Sequence, residues 1–379
     1  MADVLVIGCG LIGASVGMAL QQAGRDVLLS DELPATTGTA VRRGAGRPWD
    51  GVEPAALALV AVPPHRTAAV LTAVQRMDVA KTYTHVASVQ SQVQREIEAL
   101  SPDPSVVVGG HPLAGRERSG PLAAASDLFV GRPWAICAGG GTSATASADV
   151  RALVLDVGAD PVELTAEAHD ASVALLSHLP QLVSSALAAA LVTDGEHGAA
   201  EPGLLLAGPG VVDTTRLAAS DPELWVQILE LNARELAPVA RAVGARLTAA
   251  ADALDVLSGS REAQAQAQAT AALRTLLRQG NAGRALVPVK RGAREDAFGP
   301  VRVTVSDEPG RLAALLTDAG KAGVNVEDVH VEHVPGRPTG VIELLVARPD
   351  MGRLGSALEG RGWLVMPSDT IDPETYLST

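Results

Sequence analysis

Aromatic side chains are scarce, with two Phe, two Tyr and four Trp making up 2% of 379 residues. The cores must therefore be packed from Ala, Val and Leu. The two cysteines, Cys9 and Cys137, are too few for a disulfide framework, and no Cys/His cluster has metal-ligand spacing, so no metal is expected. No apolar run approaches the roughly 20 residues of a membrane span, and no basic leader precedes the first apolar run. These features predict a cytoplasmic chain without a membrane partner. A formal charge of -13 disfavours nucleic acid and anionic membrane alike. An anionic substrate would need local arginines to overcome that field. What is abundant is apolar residues, at 47%, enough to fill the two or three domains that the length suggests.

Asp3-Val4-Leu5-Val6-Ile7 reads as a strand running into Gly8-Cys9-Gly10-Leu11-Ile12-Gly13, after which Ala14 to Leu20 has helical composition. This is a dinucleotide fingerprint in its required setting. Gly8 permits the tight turn, Gly10 lets backbone approach a pyrophosphate, Gly13 lets helix pack on strand, and Leu11 and Ile12 open the helix whose N-terminus faces the phosphates. A second strand ends at Asp31, whose carboxylate would accept ribose hydroxyls and repel a 2'-phosphate, selecting NAD over NADP. Leu57 to Val62 is another buried strand, and Pro63 and Pro64 after it make a stiff loop suited to a nicotinamide wall. His65 reads as a loop histidine. Tyr83 to Ala87 delivers Ser88 to the same edge, either as a helix N-cap or in a catalytic role.

Ser105 to Val108 reads as a buried parallel strand leading into Gly109-Gly110-His111-Pro112-Leu113-Ala114-Gly115-Arg116-Glu117-Arg118-Ser119-Gly120. His111 thus stands at the carboxyl end of a strand, where open parallel sheets bind ligands. Beyond Thr165 long Ala/Leu-rich helical stretches take over. Ala171 to Val192 is apolar almost all round, which signals burial against other helices or a second subunit, and Pro180 in Ser177-His178-Leu179-Pro180-Gln181 would break its ladder locally. Arg216, beside Leu217, is expected on the inward side of a new helix, where it needs an anionic partner: a ligand carboxylate or a structural acid. The tail, from about Val301, alternates in a βαββαβ order that predicts a ferredoxin-like sandwich. The expected organisation is a Rossmann-type α/β domain over 1–165, an all-α domain over 166–285 that forms a homodimer, a linker over 286–297 and an α+β domain over 298–379.

Taken together, the glycine turn, Ala87-Ser88-Val89, His111 to Gly120, Ser177 to Pro180 and Asp213-Thr214-Thr215-Arg216 resemble the prephenate dehydrogenase family of tyrosine biosynthesis. Glu308-Pro309-Gly310-Arg311-Leu312 and Ala322 to Val326 resemble an ACT regulatory domain. The resemblance implies that prephenate loses hydride to NAD and carboxylate as CO2, giving 4-hydroxyphenylpyruvate. It implies His111 as the proton acceptor and Ser88 as its catalytic companion. Arg216, His178, Gln181 and Ser119 would bind the cyclohexadienyl substrate. Gly8, Gly10, Leu11, Ile12, Gly13, Asp31 and Pro63 would bind the cofactor. In the tail, Pro309 and Gly310 would seat a tyrosine effector's carboxylate at a helix N-terminus, with the Asn325 turn closing the pocket together with a second copy of the domain across a symmetric interface. The chain departs from the family pattern at Gln181, where a second histidine is common, at Gln90, where lysine is common, and at Thr214, where valine is usual. Arogenate and an amino-substituted prephenate therefore stay open as substrates, as do a hydroxy-acid dehydrogenase without decarboxylation and a ligand-sensing protein without turnover.

Overall fold

The computed structural model describes residues 1–115, 119–192, 201–287, 297–333 and 339–366. Arg116, Glu117 and Arg118, most of the expected linker, and the strand end expected near Val334 lie outside the described residues. Contacts divide the chain into two units, Met1–Ala245 and Arg246–Thr379.

The first unit opens with β1 (Ala2–Ile7), α1 (Leu11–Gln22), β2 (Val27–Ser30), α2 (Pro34–Arg42), a short β3 (Arg47–Pro48), β4 (Ala55–Val60), α3 (Pro64–Arg76), β5 (Ala80–His85), α4 (Ser91–Leu100), β6 (Val107–Pro112), β7 (Pro133–Ala138), α5 (Ala144–Asp156) and β8 (Asp160–Glu163). These strands form one eight-stranded sheet in the order β3-β2-β1-β4-β5-β6-β7-β8. It is parallel except where β7 runs antiparallel to β6. The strands are apolar on both faces because both faces are covered. Val4 and Val6 pack with Leu20, Leu29 and Val150, while Leu5 and Ile7 pack with Leu28, Leu71 and Val93. Each fully buried leucine contributes about 2 kcal/mol. After β1 the chain builds outward through β2 and β3, then crosses to β4 on the other side. The crevice between the carboxyl ends of β1 and β4 is thus the switch point where this architecture binds ligands.

The chain then turns helical, with α6 (Ala166–Val173), a π turn over Ala174–His178 and α7 (Leu179–Ala189). These join into one helix, Ala166–Ala189, long and apolar enough by length and composition to cross a membrane. That corrects the expectation that no run reaches this length. Pro180 does not end the helix, because the wider π turn before it absorbs the missing N–H. The helix also carries buried His169, Asp170, His178, Gln181 and Ser184, and it is tied to the start of α4 at Gln90 and Ser91. There follow α8 (Glu201–Leu204), α9 (Pro209–Thr215), a one-turn 3-10 helix Arg216–Ala219, α10 (Pro222–Leu231) and the start of α11 (Ala233–Gly259).

The second unit holds the rest of α11, α12 (Ala263–Arg284), β9 (Phe298–Ser306), α13 (Arg311–Lys321), β10 (Val326–His333), β11 (Thr339–Ala347), α14 (Met351–Glu359) and β12 (Leu364–Val365). Its four strands pair antiparallel in the order β10-β11-β9-β12. Val301, Val303 and Val305 alternate inward against Leu315, Leu354 and Leu358, so the period-2 pattern is the buried face. Gly310, at φ 88°, starts α13 with no side-chain cap. Asn325, the expected pocket partner, follows the other end of α13, and its side chain donates to Glu327 at 2.6 Å.

Candidate active site

The β1–α1 turn has the shape its glycines were expected to give. Gly8 sits at φ 95°, which disfavours any other residue. A Cβ there would run into the Ala61 carbonyl, at the end of β4, and a Cβ on Gly13 would run into the Gly8 carbonyl. In front of Gly10 there is open space, and α1 has no side-chain cap. Uncapped N–H groups facing open space fit a dinucleotide's pyrophosphate. Asp31, just past β2, accepts the Cys9 N–H at 2.7 Å and the Leu33 N–H at 2.9 Å. Its carboxylate is thereby fixed beside the glycine turn, where a ribose would lie. Pro63 follows β4 on the same edge and is the N-cap residue of α3. His65 proves to be the second residue of that helix, its Nδ1 2.5 Å from Gln227 Oε1. Burial, aided by Asp31, pushes the Cys9 thiol up to about 12, which leaves it unreactive.

His111 lies near the end of β6, on the same carboxyl edge as Gly8 because β1, β4, β5 and β6 are parallel. Three strand spacings separate them, about 14 Å. The strand begins later than expected and runs on through the two glycines. A side chain at Gly110 would strike the His85 carbonyl and the Trp134 indole, and one at Gly109 would displace the Gln90 carboxamide. Gln90 is buried and clamps the loop that carries Ser88, its Nε2 donating to Ala87 O at 2.7 Å and Gly110 O at 3.0 Å. Ser88 is half-buried in this loop and does not cap α4, whose N-cap residue is Gln90.

Behind His111 runs a chain of short contacts. Its Nδ1 is 2.9 Å from His169 Nε2, and His169 Nδ1 is 2.8 Å from Asp170 Oδ1. Asp170 also accepts the N–H groups of Gln90 and Ser91, each at 2.8 Å. Burial opposes its ionisation, but these hydrogen bonds prevail and hold its pKa below the usual carboxylate value. Burial first, then the neighbouring His169 and His178, push the His111 pKa down to about 3. His178 is buried as well, with Nδ1 3.0 Å from Asn232 Nδ2 and its ring edge-on to Trp225. Asn232 also donates to Asp170 O at 2.9 Å.

Gln181 donates to Leu217 O at 3.0 Å, which brings it next to Arg216. Its Oε1 is buried without a hydrogen-bond partner. Arg216 itself is exposed, correcting the inward placement: it opens a single 3-10 turn rather than a long amphipathic helix with a buried face. Ser119 is exposed. Sequence reasoning missed His169, Asp170 and Asn232. The signal for the first two was a His-Asp pair opening an otherwise apolar helix. Among the described residues no His/Cys/Asp/Glu group could hold a metal.

A glycine turn open to a pyrophosphate, a carboxylate beside it and a neutral histidine on the same sheet edge define a dinucleotide-dependent dehydrogenase. Residues 16–163 match the family model described as prephenate dehydrogenase, nucleotide-binding domain, and residues 165–271 match its dimerization domain. The chain belongs to the prephenate dehydrogenase family, and it is an NAD-dependent oxidoreductase. A probable prephenate dehydrogenase of Streptomyces niveus is 37% identical over 366 residues, covering 96% of this chain and 99% of that one. The crystal structure of Synechocystis arogenate dehydrogenase is similar with a TM-score of 0.60 at 26% identity, covering 74% of this chain and 98% of that one. The Aquifex aeolicus prephenate dehydrogenase in complex with hydroxyphenyl propionate and NAD+ shares the fold, with a TM-score of 0.60 at 24% identity over 73% of this chain and 98% of that one.

Proposed function

We propose that this chain oxidises and decarboxylates prephenate to 4-hydroxyphenylpyruvate, with His111 accepting the C4 hydroxyl proton. The observation that carries this reading is the placement of a neutral, hydrogen-bonded His111 on the sheet edge that also holds the glycine turn. Gly8, Gly10, Leu11, Ile12, Gly13, Asp31 and Pro63 hold NAD, which supplies the hydride acceptor when bound. Ser88, on the loop clamped by Gln90, orients the hydroxyl. Arg216 offers its planar fork to a substrate carboxylate, and Gln181, His178 and Ser119 complete the substrate side. The helices from 166 to 285 serve as a dimerisation domain, which the family match and the exposed Leu175, Leu176, Val183 and Leu187 support. Residues 298–379 are read as an ACT domain that binds tyrosine at the α13 N-terminus, supported by the βαββαβ order and the uncapped Gly310 turn.

A specific observation favours arogenate as a second substrate. The unpartnered Gln181 Oε1 is an acceptor that an amino group would satisfy and a keto group would not. Comparing kcat/KM for prephenate and arogenate, with CO2 release followed beside NADH, tests both readings. NADH without CO2 would indicate a plain hydroxy-acid dehydrogenase, and no NADH from either compound would indicate a sensor. A preference for arogenate would transfer the assignment to the aminated substrate.

A further inference from the structure

We propose that His169 and Asp170 form a proton relay behind His111, fixing its tautomer and taking the positive charge away from the reacting centre. The inference rests on His111 being the proton acceptor.

With both imidazoles uncharged before the reaction, the tautomers follow from the donor and acceptor inventory. Asp170 is ionised and can only accept, and it already receives two backbone N–H groups. The 2.8 Å contact to His169 Nδ1 therefore requires the proton on that nitrogen. A neutral His169 then has a lone pair on Nε2, so the 2.9 Å contact requires His111 to carry its proton on Nδ1. The consequence is a lone pair on His111 Nε2, the ring nitrogen turned away from the relay. Both relay residues are almost wholly buried, at 1% and 2% exposure, so water does not compete for these positions.

The same geometry decides where the charge goes. The substrate O–H bond breaks and its proton binds His111 Nε2. The Nδ1–H bond of His111 breaks in turn, and that proton binds His169 Nε2. His169 then holds a proton on each nitrogen, and its positive charge stands in contact with the Asp170 carboxylate, where a buried charge is paired and hydrogen-bonded. His111 ends neutral, carrying the substrate's proton in place of its own. Among the described residues His85, His178 and Cys137 also face the cluster, and Glu167 reaches Cys137. Burial first holds the two histidines neutral, at pKa values near 4, and keeps the Cys137 thiol protonated, its pKa pushed up to about 12, so none of them competes for the proton. His169 and Asp170 are positioning residues, since they act through His111.

The test has two readouts on the full-length chain. In the 15N-histidine-labelled protein without ligands, long-range 1H–15N correlations should show a protonated Nδ1 and an unprotonated Nε2 for His111, the signal being assigned by its loss in His111→Asn. His169→Gln and Asp170→Asn should each lower kcat about 10- to 100-fold, the range typical of groups that orient another imidazole. KM for the cyclohexadienyl substrate and the NAD dissociation constant should stay within about twofold. Asp170→Glu, which restores the carboxylate, should recover more activity than Asp170→Asn. If Asp170→Asn fails to fold for want of its bonds to Gln90 and Ser91, His169→Gln keeps that anchor and carries the test. A protonated Nε2 on His111, or wild-type kcat in His169→Gln, would overturn the relay. Absence of NADH formation by the wild type with both prephenate and arogenate would instead overturn the dehydrogenase reading, and the tautomer spectrum would still decide the hydrogen-bond chain.

Discussion

A side chain that accepts a proton as hydride departs must be neutral beforehand, and burial together with His169 and His178 keeps His111 in that state down to a pKa of about 3. The sign of the pH effect follows. Lowering the folded pKa preserves the neutral base as pH falls, and activity is lost only when pH falls through the lowered value. His111 itself should therefore add no acid limb to kcat/KM between about pH 8 and 5.5, where a histidine of ordinary pKa would already have lost about tenfold. An acid limb centred near the ordinary histidine value would show that another group titrates. His111→Asn should lower kcat by about two to four orders of magnitude and leave NAD affinity unchanged by fluorescence titration, since only proton acceptance is removed. Arg216→Ala should act mainly through KM, because a carboxylate clamp used in ground and transition states alike supplies uniform binding. An unchanged KM in steady-state kinetics would return Arg216 to a structural role.

At the scale of elements, the β1–α1 turn separates two uses of glycine that look alike in the sequence. A Cβ on Gly13 would strike the Gly8 carbonyl, whereas one on Gly10 would meet open space. Gly13→Ala should thus destabilise the fold by about 1–3 kcal/mol through overpacking and weaken NAD binding with it. Gly10→Ala should melt like wild type yet bind NAD poorly, because the new methyl group would occupy the pyrophosphate's approach. Thermal denaturation alongside NAD titration checks both, and wild-type NAD affinity in Gly10→Ala would remove the turn from the phosphate site. This turn was legible in advance because strand, glycines and helix are contiguous and each constrains its neighbour. The π turn before Pro180 was legible only as a local break, since whether a proline ends a helix or is absorbed depends on the packing around it.

For the whole molecule, the apolar side chains left in solvent bear on assembly. Leu175 and Leu176 are 53% and 73% exposed on the α6–α7 helix, and a face of this kind is more often covered than bare. Light scattering at micromolar concentration should return twice the 38.7 kDa chain mass, and a monomer would contradict the dimer. Control by the tail is testable without truncation. Gly310 stands at φ 88°, so Gly310→Val strains the turn and adds bulk before the α13 N-terminus. Tyrosine inhibition should disappear while turnover without tyrosine is retained. Inhibition that persists unchanged would place tyrosine in the active site, as a product-like competitor.

What the amino-acid order determined by itself was whatever a few neighbouring residues decide together. The glycine turn between strand and helix, Asp31 at the end of the second strand, His111 at a strand's carboxyl edge and the alternating apolar pattern of the tail are all of this kind. Hydrophobic period and backbone permission act over short stretches, so they can be read without coordinates. Tertiary structure alone decided the rest. The bond from His111 to His169 spans 58 positions and that from Gln90 to Asp170 spans 80. Gln90, legible only as a missing lysine, became the clamp between the Ser88 loop and β6 once the two glycines of that strand let it approach. Arg216 came out exposed in the 3-10 turn that follows α9. Such relations arise from how elements pack in three dimensions, which no local spacing encodes.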